Sequence, residues 1–160
     1  INFYEKLCQH HELLLFEDYT EVRGWMNHLL DRVERLNRPC CLSHIDSVAD
    51  NFLFLPDGTV RLIDWEYSAM HDPLIDISMC SIYSYYDAEE LDRLLEVYLE
   101  RIPTPEERIA TYAYAALGGF LWCLWAVFKS TEGEEFGEYT IIMYHYAKHY
   151  YKRIARLFPD

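Results

Sequence analysis

The sequence predicts a mainly α domain with one β-hairpin inserted near its front. Three observations carry this expectation. Apolar residues recur at helical spacing, one stretch at about residues 52–63 reads as two short strands around a turn, and 51% of the 160 residues are hydrophobic. That length and apolar content can bury one sizeable core, and an aromatic share of 16% with fourteen Tyr excludes a disordered or low-complexity chain. No repeat or linker interrupts the sequence, so residues 1–160 are expected to form a single domain.

The elements follow in order. Residues 2–16 predict a short first helix. Val22, Trp25, Met26, Leu29, Leu30, Val33 and Leu36 predict an amphipathic helix over 19–36, which Pro39 brings to a stop. The hairpin is centred on Pro56-Asp57-Gly58, and nothing else reads as strand. Three further helices are expected. Asp87 with Glu90 makes one capping box, and Thr104, Pro105 and Glu107 make another with Pro at the first helical position. The last helix should cover 137–157, after the acidic loop containing Glu132, Glu134 and Glu135.

Residues 109–128 carry no charge, between Arg108 and Lys129, and twenty such residues are long enough to span a bilayer. Tyr112 and Tyr114 fall inside the run, whereas aromatic anchors normally mark the ends of a span. A buried helix of a soluble domain is the expectation.

Asp and Glu number 27 against 14 Lys and Arg, a net charge of −13. Such a chain repels phosphate backbones and anionic headgroups, which argues against nucleic-acid and membrane partners and favours a cation, or a metal bridging to an anion. Five Cys, two of them adjacent at Cys40 and Cys41 and none in a C-x-x-C pair, suggest neither a disulfide framework nor a zinc knuckle. A reducing, cytoplasmic setting is expected. The first residue is Ile1 and no leader-like segment follows, so either the start of the chain lies outside this sequence or this is a piece of a longer chain.

The informative residues flank the hairpin. Before it stands His44-Ile45-Asp46-Ser47-Val48-Ala49-Asp50-Asn51, an H-x-D-x-x-x-x-N pattern, and after it Ile63-Asp64-Trp65-Glu66-Tyr67. Asp46 precedes Asn51 by five residues and Asn51 precedes Asp64 by thirteen. These are the roles and order of a kinase catalytic loop followed by a metal-binding Asp. Phosphoryl transfer needs one carboxylate to take a hydroxyl proton and oxygen ligands to hold Mg²⁺ on the phosphates. A hairpin between Asn51 and Asp64 brings both ligands to one open end.

These segments, with Phe120-Leu-Trp122-Cys-Leu-Trp125, resemble the choline/ethanolamine kinase family, in particular its bacterial choline kinases, within the wider aminoglycoside-phosphotransferase-like kinases. The resemblance covers residues 42–125. It implies that the chain is the helical C-terminal lobe of a protein-kinase-like fold, with ATP as co-substrate. On this resemblance Asp46 is the catalytic base, Asn51 and Asp64 are the Mg²⁺ ligands, and Trp122 and Trp125 wall a choline pocket with Tyr83 or Tyr86 as third wall and Tyr139 as a weaker candidate. Leu53 and Ile63 form the apolar floor under adenine. His44 and Asp76 support the loop. The family's usual Arg or Asn between His and Asp is Ile45 here, and an acidic position of eukaryotic members is Tyr83, so aromatic faces would hold the cation. No glycine-rich loop is present and Lys6 is the only Lys before the catalytic loop, so the N-terminal nucleotide-binding lobe is expected to be missing and this piece alone inactive.

Several blander readings stand beside these. His145 and His149 share zinc-ligand spacing, but Tyr146 replaces the Glu a zincin needs, so two surface or tyrosine-packed imidazoles are expected. Trp122 and Trp125 share a helix face and, without the kinase motifs, would be read as core. Ethanolamine or aminoglycoside kinase is the nearest alternative, separated from choline by whether the cation meets acceptors or aromatic walls. A non-catalytic module that binds quaternary ammonium groups, and a purely structural helical domain, are the alternatives outside catalysis.

Overall fold

A central helix, α5 (Pro105–Lys129), organises the chain, and the computed structural model describes residues 1–11 and 16–159. Before it come α1 (Asn2–His10), α2 (Tyr19–Leu36), β1 (Cys41–Ser43), a 3₁₀ turn (Ala49–Asn51), β2 (Phe52–Phe54), β3 (Val60–Leu62), β4 (Ala69–His71), α3 (Leu74–Tyr83) and α4 (Ala88–Leu99). A 3₁₀ turn (Ser130–Glu132) and α6 (Tyr139–Leu157) follow.

Helix α5 packs along α6 and against α3, α2 and α1, and Tyr112, Phe120 and Leu124 from it meet Met26, Leu29, Ile82, Met143, Tyr150 and Ile154 in the core. The charge-free run lies in this helix. It is long and apolar enough to cross a membrane, and 72% of its most apolar stretch is buried within the protein. Two adjacent glycines permit the close approach. A Cβ at Gly118 would overlap Met79 Cε, and one at Gly119 would meet the Met143 carbonyl oxygen at 2.6 Å. Both capping boxes are formed: Asp87 accepts from the Glu89 and Glu90 amides, and Thr104 Oγ1 accepts from the Glu107 amide.

The mainly helical class and the inserted hairpin are as expected, with β2 and β3 antiparallel in the register Phe52↔Leu62, Leu53↔Arg61 and Phe54↔Val60. Four details differ. First, β1 and β4 form a second antiparallel pair, Cys41↔His71 to Ser43↔Ala69; strands of three residues are too short to announce themselves by alternation. Second, four helices rather than three follow the hairpin, because the run from Leu74 to Tyr83 is buried on most sides and shows no polar stripe. Third, the last helix starts at Tyr139, since Gly137 adopts φ 53° outside it. Fourth, the first helix ends at His10; part of the expected extension, residues 12–15, lies outside the described residues.

Candidate active site

The loop after β1 and the first turn of α3 build the site between them. Asp76 accepts the His44 amide on Oδ2 at 3.0 Å and the Ile45 amide on Oδ1 at 2.7 Å, while its own carbonyl accepts the Ser47 hydroxyl at 2.8 Å. These bonds hold Ile45 at φ 71°, a conformation that a β-branched residue adopts only under constraint. Asp46 follows immediately. The Asn51 carboxamide nitrogen donates to the Asp46 carbonyl at 2.9 Å and to its Oδ2 at 3.3 Å.

Ile63 ties the second strand to this loop. Its amide donates to the Asn51 carbonyl at 3.0 Å, and its carbonyl accepts from His44 Nε2 at 2.7 Å. The backbone just before Asp64 is thereby held by Asn51 and His44 together. His44 is 1% exposed, with its ring edge-on to Trp65 at 4.8 Å, so it acts on backbone and packing. Asp64 sits at φ 61° on the surface.

The donor set suits a hard divalent cation. Because Asn51 spends its Nδ2 on Asp46, its Oδ1 is left as an acceptor, and the Asp64 carboxylate makes no hydrogen bond or ion pair among the described residues. Carboxylate and carboxamide oxygens are donor types that Mg²⁺ takes.

Beside Asp46 opens a cleft of about 570 Å³. Asp46 and Asp50 supply its carboxylates, Tyr67, Tyr83, Trp122, Trp125, Phe136 and Tyr139 line it, and no Lys or Arg among the described residues does. The rings form a continuous wall: Trp122 meets Tyr67 at 6.0 Å, Tyr83 at 6.0 Å and Trp125 at 5.6 Å, and Phe136 meets Trp125 at 5.0 Å. Burial pushes the Tyr83 phenol well above the ordinary tyrosine range, and the Asp46 carboxylate adds to the shift. Burial likewise raises Tyr67, reinforced by Glu66, Tyr4, Asp46 and Asp64.

Of the residues singled out in the sequence, Asp46, Tyr83, Trp122, Trp125 and Tyr139 share this cleft. Tyr86 does not. Helix α3 ends at Tyr83, Tyr85 turns through φ 56°, and the Tyr86 carbonyl is pinned to α6 by the Tyr146 hydroxyl at 2.9 Å, so Tyr86 lines a different pocket. Leu53 and Ile63 are 42% and 41% exposed on the hairpin. Tyr67 and Phe136 were not expected. Tyr67 lies three residues after Asp64, where the motif offered a signal; Phe136 sits in the acidic loop, where none existed.

Residues 3–110 match the family described as "Phosphotransferase enzyme family". Among curated proteins, Protein LicA of Haemophilus influenzae is 35% identical over 114 residues, covering 68% of this chain and 41% of that one. Among solved structures, choline kinase LicA from Streptococcus pneumoniae superposes with a TM-score of 0.74 at 31% identity, covering 94% of this chain and 54% of that chain. A structure of LicA in complex with AMP gives a TM-score of 0.73 at 29% identity, over 94% and 53%. The chain thus spans 41% of that curated relative and about half of each of these solved chains.

Proposed function

The chain belongs to the phosphotransferase enzyme family, and from that premise we propose that the full-length protein transfers the γ-phosphoryl group of ATP to the hydroxyl of choline. The observation that carries this reading is the cleft itself, in which two carboxylates of the H-x-D-x-x-x-x-N loop, Asp46 and Asp50, line the same space as a wall of aromatic rings, with no basic residue among the described lining. A trimethylammonium group has no proton to donate and cannot be neutralised, so ring faces and a negative field are what recognise it. A primary ammonium would instead call for several hydrogen-bond acceptors, and the lining is mostly aromatic.

In this reading the choline hydroxyl lies against Asp46, whose carboxylate orients the oxygen and takes its proton as the new O–P bond forms and ADP leaves. Asn51 keeps Asp46 in place and, with Asp64, would hold Mg²⁺. When bound, that ion neutralises phosphate charge. Leu53 and Ile63 share one face of the hairpin with Arg61, both partly exposed, and would underlie the adenine, beneath a nucleotide-covering lobe supplied by the rest of the protein.

The test is a coupled ADP-release assay on the full-length protein across choline, ethanolamine and an aminoglycoside. Turnover with choline at the highest kcat/KM is expected. Preference for either other acceptor reassigns the substrate, and choline binding without turnover favours a non-catalytic module. Asp46→Ala should abolish kcat with a smaller effect on nucleotide binding.

A further inference from the structure

The outer face of α6 carries two pockets that share His145 and His149. One, of about 320 Å³, is lined by Tyr85, Tyr86, Tyr146 and Tyr150 among others. The second, of about 310 Å³, is lined among the described residues by His145, Lys148, His149, Lys152, Arg153 and Arg156. The spacing of these residues sets them along one helical stripe. The stripe concentrates four of the chain's 14 Lys and Arg, without an acid among the described residues that line it, on a chain of net charge −13.

Internal partners only partly account for it. Lys148 pairs with Asp18, Arg153 reaches Asp92 at 3.4 Å, and Lys152 lies 5.7 Å from the Trp25 ring. Arg156, His145 and His149 have no ion pair among the described residues, and the two imidazoles stack at 5.7 Å. Tyr150, which lines the aromatic pocket, and Arg153, which lines the basic one, each carry a buried polar atom, the hydroxyl and Nε, with no hydrogen-bond partner among the described residues. Burial lowers the His149 pKa, and His145, Arg153 and Arg156 lower it further, against a smaller opposing effect of Asp87. Positive charge is therefore crowded here and an anion would relieve it. Asp87, the acid in the aromatic pocket, has its Oδ1 committed to the Glu89 and Glu90 amides.

We propose that the two pockets form one site for a ring-bearing organic phosphate of the nucleoside-diphosphate class, its ring among the tyrosines and its phosphates on the α6 stripe. A flat ring suits an aromatic pocket, and phosphate oxygens suit convergent Lys, Arg and His donors. The site is independent of the choline reading.

ADP titrated into the full-length protein, followed by the imidazole NMR signals of His145 and His149 with His44 reporting separately on the catalytic loop, tests this. The expected result is a saturable shift of both α6 imidazoles, weakened by roughly tenfold or more in Lys152→Gln/Arg156→Gln. Both residues are exposed and lie outside the catalytic cleft, so kcat and the choline KM should not change. Inorganic phosphate should need a much higher concentration to move the same signals. The proposal falls if millimolar ADP leaves His145 and His149 unmoved, if the shift survives in the double variant, or if inorganic phosphate binds as tightly as ADP. It also falls if the double substitution changes the sedimentation of the protein, which would make the stripe a contact between copies.

Discussion

Asp76 holds Ile45 in a left-handed backbone conformation, accepting its amide at 2.7 Å while Ile45 sits at φ 71°. The second oxygen of the same carboxylate takes the His44 amide at 3.0 Å. A β-branched residue in that region costs on the order of 1–3 kcal/mol, so the loop presenting Asp46 takes this shape because a residue 31 positions later enforces it.

Removing that clamp should therefore loosen the loop that presents Asp46. Asp76→Ala leaves two backbone amides without their acceptor, at about 1–3 kcal/mol for each that stays buried. We expect a lower Tm and a fall in kcat of roughly tenfold or more in the full-length protein, with Asp76→Asn intermediate because one acceptor remains. Wild-type kcat and Tm in Asp76→Ala would exclude the clamp.

The aromatic wall predicts a different pattern. A desolvated cation–π contact is worth ~2 kcal/mol, so Trp125→Ala should raise the choline KM by roughly tenfold or more with a smaller change in kcat. Trp122→Ala should do the same and also lower Tm, because Trp122 is only 8% exposed and touches Tyr67, Tyr83 and Trp125. Unchanged KM in both variants would make the rings core and remove the choline assignment.

The paired glycines of α5 should respond unequally to a methyl group. At Gly118 the nearest atoms are the flexible end of Met79, which can move aside. At Gly119 they are the Met143 carbonyl oxygen at 2.6 Å, the Tyr146 Cβ at 2.9 Å and the Ala147 nitrogen at 3.3 Å, backbone and Cβ atoms of α6 that cannot move aside without shifting the helix. Gly119→Ala should cost about 1–3 kcal/mol or more in denaturant titrations, and Gly118→Ala clearly less. Equal losses would mean that α6 adjusts as easily as one methionine.

Glu107 makes a pH prediction. The Arg101 guanidinium at 2.6 Å, helped by the Thr104 amide, holds its carboxyl down to about 2 from an ordinary 4.5. A depressed carboxyl stabilises the fold fully above the unfolded value, and that contribution is lost as pH falls from about 4.5 towards 2. Glu107→Gln should be less stable than wild type near neutrality, with the two curves converging towards pH 2. A constant gap across that window, measured by denaturant unfolding, would show that the pair does not titrate with folding.

Much of this protein was legible along the chain because it is local chemistry. The capping boxes at Asp87 and Thr104 need only residues three apart, the helix over 19–36 needs only its apolar spacing, and the H-x-D-x-x-x-x-N pattern with its following Asp needs only the order His44, Asp46, Asn51 and Asp64. The helical class, the hairpin and the carboxylate and carboxamide side chains that flank it can all be read along the chain. Tertiary structure decided what those residues face. The pairing of Cys41–Ser43 with Ala69–His71 joins segments too short to carry a pattern, and the turn at Tyr85 sends Tyr86 towards α6 while Tyr83 stays in the cleft. Phe136 joins the same wall from a loop with no periodicity to read. Periodicity tells which face of an element is apolar, but the direction of a ring depends on how a helix ends and what packs on it. Only long-range contacts such as Asp76 with Ile45, or Tyr146 with Tyr86, set that.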